Sequence, residues 1–137
     1  MPTSASPSLV RRLRWVLIGL LAAESVALVG VVGWLLLELV TQTPSSYATA
    51  LALLIMVVIA AVFLVAVTVS VLRRQAWAPS GAIVWQVLQI SVAIGAFQGL
   101  FARPDIGWLL LIPALAIIGL LIWQPVRQTF RSRAVDR

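Results

Sequence analysis

Residues 51–67 read LALLIMVVIAAVFLVAV, an unbroken apolar run without one polar side chain. Extended to Ala48 and Leu72, it exceeds the roughly 20 residues that a helix needs to cross a hydrocarbon layer of about 30 Å. No water is available at that depth, so every backbone N–H and C=O must be paired within the segment, and a helix does this. Three further stretches behave alike, and the expected spans are about 13–40, 48–72, 81–101 and 106–123. The expected fold is therefore all-α: a polytopic integral membrane protein with a bundle of four transmembrane helices.

Composition agrees. The chain is 62% hydrophobic and 10% charged, with a mean hydropathy of +1.09. A soluble domain is nearer 45–50% apolar and about 25% charged. Residues 1–12 are expected to form a disordered cytoplasmic segment, 13–123 the transmembrane domain, and 124–137 a basic cytoplasmic tail. Arg11 to Arg14 ahead of an apolar run is how a signal peptide begins. Here the run continues past Ala22 and Ala23 to Val40, far beyond a signal's apolar core of about 7–15 residues, so an anchor that stays is expected.

Net charge is +6, and all ten basic residues are Arg. Nine of them flank one side of the expected spans: Arg11, Arg12, Arg14, Arg73, Arg74, Arg127, Arg131, Arg133 and Arg137. Only Arg103 falls on the other. This asymmetry predicts a multi-pass protein of the cell membrane with both termini cytoplasmic. It explains the basic charge by topology and attraction to anionic headgroups, and no nucleic-acid motif accompanies it, so no nucleic-acid partner is expected. The Arg-only basic set, with abundant Ala, Val and Leu, points weakly to a bacterial coding sequence.

The chain has neither Cys nor His. Disulfides, thiolate or imidazole metal sites and His-based acid–base chemistry are excluded together. No intramembrane Asp pair, Ser–Lys dyad, HExxH or phosphate-cradling Gly loop occurs. Catalytic, cofactor and metal sites are accordingly expected to be absent, and an enzyme is not expected.

Glu24 is the most informative single residue. It falls about ten residues into span 1, where an ionisable group costs roughly 2.5–3.5 kcal/mol even on insertion scales. Such a group either marks a proton or substrate path or hydrogen-bonds a neighbouring helix. Gln86 and Gln89 of span 3 lie at a matching depth, spaced i, i+3 on one face. Glu24, Gln86 and Gln89 are therefore expected to form an intramembrane polar site.

Small residues allow helices to approach closely. Gly95 and Gly99 form a GxxxG in span 3, and Gly19, Ala23 and Gly30 form a stripe on span 1, so these five are the expected helix-packing positions. Span 3 is expected to be central or to face a partner, and span 2 to show much of its surface to lipid. Trp15, Trp77 and Trp123 are expected at the inner interface, Trp34 and Trp108 toward the outer one and Trp85 somewhat deeper, with Glu38 near the outer end within reach of Arg103.

Two resemblances follow from these residues. The run Arg74, Gln75, Ala76, Trp77, Ala78, Pro79, followed by Val84, Trp85, Gln86, Val87, Leu88, Gln89 and paired with an acidic residue in span 1, resembles uncharacterised small four-helix membrane proteins of actinobacteria. That resemblance implies a fold and no activity. Ala23, Glu24, Ser25 and Val26 are similar to the neighbourhood of the membrane-embedded Glu in small multidrug resistance transporters. Spans 2 to 4 depart from that family's aromatic and glycine patterns, as do the connector Arg pair and the basic tail. The expected function is thus a non-catalytic accessory or interaction subunit, whose partners are the lipid bilayer and another membrane protein or a second copy. The alternative is a small proton-coupled transporter using Glu24.

Overall fold

The computed structural model of the chain describes residues 6–98 and 102–123. The basic tail at 124–137, Gly99 and the expected end of span 3 at Phe101 lie outside those residues. Four helices follow in order: α1 (Pro7–Thr41), α2 (Tyr47–Leu72), α3 (Ala78–Phe97) and α4 (Pro104–Ile122). All four are long and apolar enough to cross a membrane. The expectation of an all-α, four-span membrane protein holds.

Local chemistry sets the boundaries. Pro stands in the first turn of α1, α3 and α4, where its missing N–H costs nothing and its fixed φ suits a helix. Ser46 caps α2, its Oγ accepting from the Thr49 N–H at 3.4 Å and from the Thr49 hydroxyl at 3.2 Å. α1 begins at Pro7 rather than near Leu13. Its first turns carry Arg11, Arg12 and Arg14, good helix formers that the apolar pattern alone leaves out. At 35 residues the helix is about 52 Å long. That is well beyond a hydrocarbon thickness of about 30 Å, so the Arg-bearing turns extend to headgroup level or past it.

The end of α2 is unusual. The Arg74 N–H donates to the Val71 carbonyl at 3.1 Å and the Gln75 N–H to the Ser70 carbonyl at 3.0 Å. This is the Schellman pattern, which places the residue after the C-cap in the left-handed region and usually makes it Gly. Here that residue is Arg74, at φ 54°. The left-handed conformation costs an L-residue about 1–2 kcal/mol.

The helices form a ring in which α1 neighbours α2, α2 neighbours α3, α3 neighbours α4, and α4 closes against α1. α1 with α2 and α3 with α4 are the two intimate pairs, and α1 and α3 are diagonal. The core joins Leu17, Ile18 and Leu21 of α1, Leu64, Val67 and Val71 of α2, Ala78 and Ala82 of α3, and Ile117 and Leu121 of α4. These positions all belong to the Arg-rich half of the bundle. α2 shows much of its surface outward along its whole length, as expected, with Met56, Ile59, Val62 and Val69 exposed, while Leu54, Ala61, Leu64, Val67 and Val71 turn inward. The alternation arises because a period of 3.6 turns one side of an all-apolar helix inward whatever its composition.

Side chains press closest on glycines other than those expected. A methyl group on Gly81 would meet the Trp77 ring at 2.7 Å and Val67 Cγ2 at 3.1 Å. On Gly107 it would meet the Phe97 ring at 2.7 Å, a ring that packs edge-on against Trp108 with centroids 5.5 Å apart. Around Gly19, Gly30 and Gly95 nothing lies within 4 Å. Trp15, Trp34, Trp77 and Trp108 are exposed, as interfacial residues are.

Candidate functional site

Trp85, Gln86 and Gln89 occupy one face of α3, since steps of one, three and four residues keep them within about 100° of each other. That face looks across the bundle diagonal toward α1. The two backbones are too far apart to touch, and the gap is spanned by long polar side chains. From α1, Glu24 reaches inward to meet them.

The Glu24 carboxyl accepts three N–H groups from α3. Oε2 accepts from Trp85 Nε1 at 3.2 Å and from Gln86 Nε2 at 3.3 Å. Oε1 accepts from Gln89 Nε2 at 3.0 Å. Gln89 Nε2 also donates to the Leu110 carbonyl of α4 at 2.9 Å, so one amide ties three helices together. Pro113, in the following turn of α4, has no N–H for the Leu109 carbonyl and crowds it with its ring. The neighbouring Leu110 carbonyl is the one that takes the extra bond.

Gln86 is fully buried and Gln89 nearly so, whereas Glu24 and Trp85 are half-buried. Gln86 Oε1 is buried and has no hydrogen-bond partner. The amide of Gln86 can serve Glu24 either way round. Its NH₂ suits an ionised carboxylate, and its carbonyl, turned by half a rotation, suits a carboxylic O–H.

A second polar contact lies beside the first. Ser25 Oγ and Thr68 Oγ1 are 3.0 Å apart and join α1 to α2. Each hydroxyl also donates to its own helix, Ser25 to the Leu21 carbonyl and Thr68 to the Leu64 carbonyl, both at 2.8 Å. Two hydroxyl protons serve three contacts, so the Ser25–Thr68 bond must share a proton with one of the carbonyls. The Phe63 ring, 6.4 Å from the Trp85 ring between centroids, covers the cluster from α2.

Of the residues expected to form a polar site, the structure brings Glu24, Gln86 and Gln89 together. Of the expected packing residues, Gly19, Ala23, Gly30 and Gly95 face outward, away from the other three helices. Arg103 does not pair with Glu38. It forms a two-pronged ion pair with Asp105 two residues on, at 3.0 and 3.2 Å, because the helix start brings that carboxylate to it first. Trp85, expected somewhat deeper than the other Trp residues but as an anchor, is the third donor to Glu24. The available clue was its spacing: it shares the Gln89 face, and an indole N–H in an apolar helix needs an acceptor.

Chemically, the site is one carboxyl among neutral donors. Among the described residues no three acidic, His or Cys side chains gather in a way that could hold a metal. What the cluster can do is accept N–H groups, hold or release one proton, and attract a cation that reaches its exposed side. Compared with protein-family models, curated proteins and solved structures, the chain matches none.

Proposed function

We propose that this chain is a non-catalytic accessory subunit of the cell membrane, with both termini cytoplasmic, that docks on another helix bundle. One observation supports this above the rest: the chain's intramembrane carboxyl is committed inward, to three donors of its own α3. The side chain best able to do chemistry is used for internal cohesion. Meanwhile Gly19, Ala23 and Gly30 lie within about 40° of one another on the outer face of α1, a surface that another helix can approach closely.

The chain has no Cys, which makes a single-cysteine experiment clean. Ala23→Cys, activated for crosslinking in native membranes, should give one discrete adduct, and Val58→Cys on the α2 surface should not. Identifying the adduct would name the partner or reveal a second copy. Equal, diffuse crosslinking from both positions would refute the docking face.

The competing reading is a proton-coupled transporter, and the half-buried state of Glu24 favours it. It requires proton flux coupled to a small lipophilic cation in liposomes, abolished by Glu24→Gln. Liposomes holding the pure protein that show no such flux would eliminate it.

A further inference from the structure

We propose that the cleft between the start of α1 and the α2–α3 turn binds the phosphate group of an anionic phospholipid. The cleft has a volume of about 190 Å³ and is lined by Pro7, Val10, Arg11, Arg14 and Arg74. Pro7, Val10, Arg11 and Arg14 follow the i, i+3, i+4, i+7 rule, so they form one face of α1. Arg74 enters from the other side, from the turn that ends α2.

Three features of this cleft point to an anion. First, guanidinium groups from separate elements share it, and Arg14 and Arg74 repel each other. Among the described residues no carboxylate stands between them; Glu24, the nearest acidic residue along α1, is about 15 Å further down the helix. Second, Arg14 lines the cleft with no carboxylate paired to it, and its Nε is buried without a hydrogen-bond partner, so the charge of this guanidinium is not neutralised within the described residues. Third, Arg74 holds the left-handed conformation at φ 54° where Gly would be unstrained. Backbone strain retained by a residue with a long charged side chain, at the rim of a cleft of like charge, is a reason to look for what that side chain binds.

Phosphate is the anion that fits. Arg presents a planar fork of donors that matches phosphate oxygens. The helix length argues for a lipid as its carrier: α1 is about 52 Å long, so its Arg-bearing first turns reach headgroup level. Pro7 and Val10 line it alongside the Arg residues, and the exposed Trp15 lies beneath the Arg14 guanidinium, 6.0 Å from ring centroid to Cζ. Phosphate oxygens would sit among the guanidinium groups, with the acyl chains running down the apolar surface below.

The test is native mass spectrometry of the full chain released from detergent, with phosphatidylglycerol or phosphatidylcholine supplied. Phosphatidylglycerol should be retained about tenfold better, the size of one charge-assisted hydrogen bond. Arg14→Gln and Arg74→Gly should both bring retention down to the phosphatidylcholine level, while Arg103→Gln at the opposite end should leave it unchanged. Arg74→Gly relieves the left-handed strain and should melt no lower than the parent, which separates lost binding from lost folding. Equal retention of the two lipids would overturn the proposal, as would an equal loss in Arg103→Gln. Displacement of the lipid by millimolar inorganic phosphate would show a free-phosphate site and overturn the lipid assignment.

Discussion

Glu24→Ala should destabilise the bundle by about 2 kcal/mol, reading three interhelical hydrogen bonds at about 0.6 kcal/mol each. The side chain's two oxygens take Trp85, Gln86 and Gln89. Removing them leaves the half-buried Trp85 and the buried Gln86 donors without an acceptor, while Gln89 keeps the Leu110 carbonyl. Glu24→Gln is a different case. Its carbonyl still accepts, and its new NH₂ meets the one unpartnered acceptor nearby, Gln86 Oε1, once that amide turns. The expected cost is under about 1 kcal/mol, because two interhelical bonds remain and only one, at about 0.6 kcal/mol, is lost. Thermal unfolding in detergent, followed by helical signal or tryptophan fluorescence, measures both. Equal losses from Ala and Gln would mean that the hydrogen bonds around Glu24 contribute nothing beyond side-chain volume.

The second large effect is expected at Gly81. A side chain here points between the Trp77 ring and Val67, with 2.7 and 3.1 Å already marking the limit for a single methyl. Val67 is wholly buried in the core, and Trp77 is held by donating its indole N–H to Gln75 Oε1 at 2.8 Å. Val67 has little room to yield, and moving the Trp77 ring would break its bond to Gln75. Gly81→Leu should cost about 1–3 kcal/mol, the usual range for overpacking. Gly95→Leu, with open space around it, should stay within about 0.5 kcal/mol. The two variants can be compared by unfolding in mixed detergent. A larger loss at Gly95 would mean that the GxxxG face, and not the Gly81 contact, holds the bundle.

The contrast between those glycines shows where sequence reading stops. Span positions were legible because hydropathy is a property of a segment and survives any rotation of the helix. The Glu24–Gln86–Gln89 cluster was legible for a related reason: depth in the membrane follows from counting residues, and intramembrane polar groups must find each other. Which side of a helix touches which neighbour is another matter. In α3 a glycine carries no side chain of its own to mark which neighbour it meets, so Gly95 and Gly81 look alike in the sequence although only Gly81 is tightly enclosed. The start of α1 was obscured because hydropathy ends at the first Arg while the helix does not. Arg74 was read as half of a topological Arg pair. That it occupies a position suited to Gly follows only from the turn it sits in.

The distance along the chain between Glu24 and its acceptor-seeking partners also sets a timetable. Glu24 and Gln86 are 62 residues apart, which at about 5–20 residues per second is several seconds of synthesis. During that interval α1 is in the bilayer with its carboxyl unpaired, and the nascent α1–α2 hairpin must persist without the contacts that later secure it. Quality-control proteases that survey unpaired polar groups therefore meet this protein at its most vulnerable before α3 emerges. A chain truncated after Gln75 should be degraded faster than the same truncation carrying Glu24→Leu, and pulse-chase labelling in cells would show it; matching half-lives would remove the unpaired carboxyl as the cause. The site that unites the finished bundle is, on this account, also what makes an unfinished one recognisable.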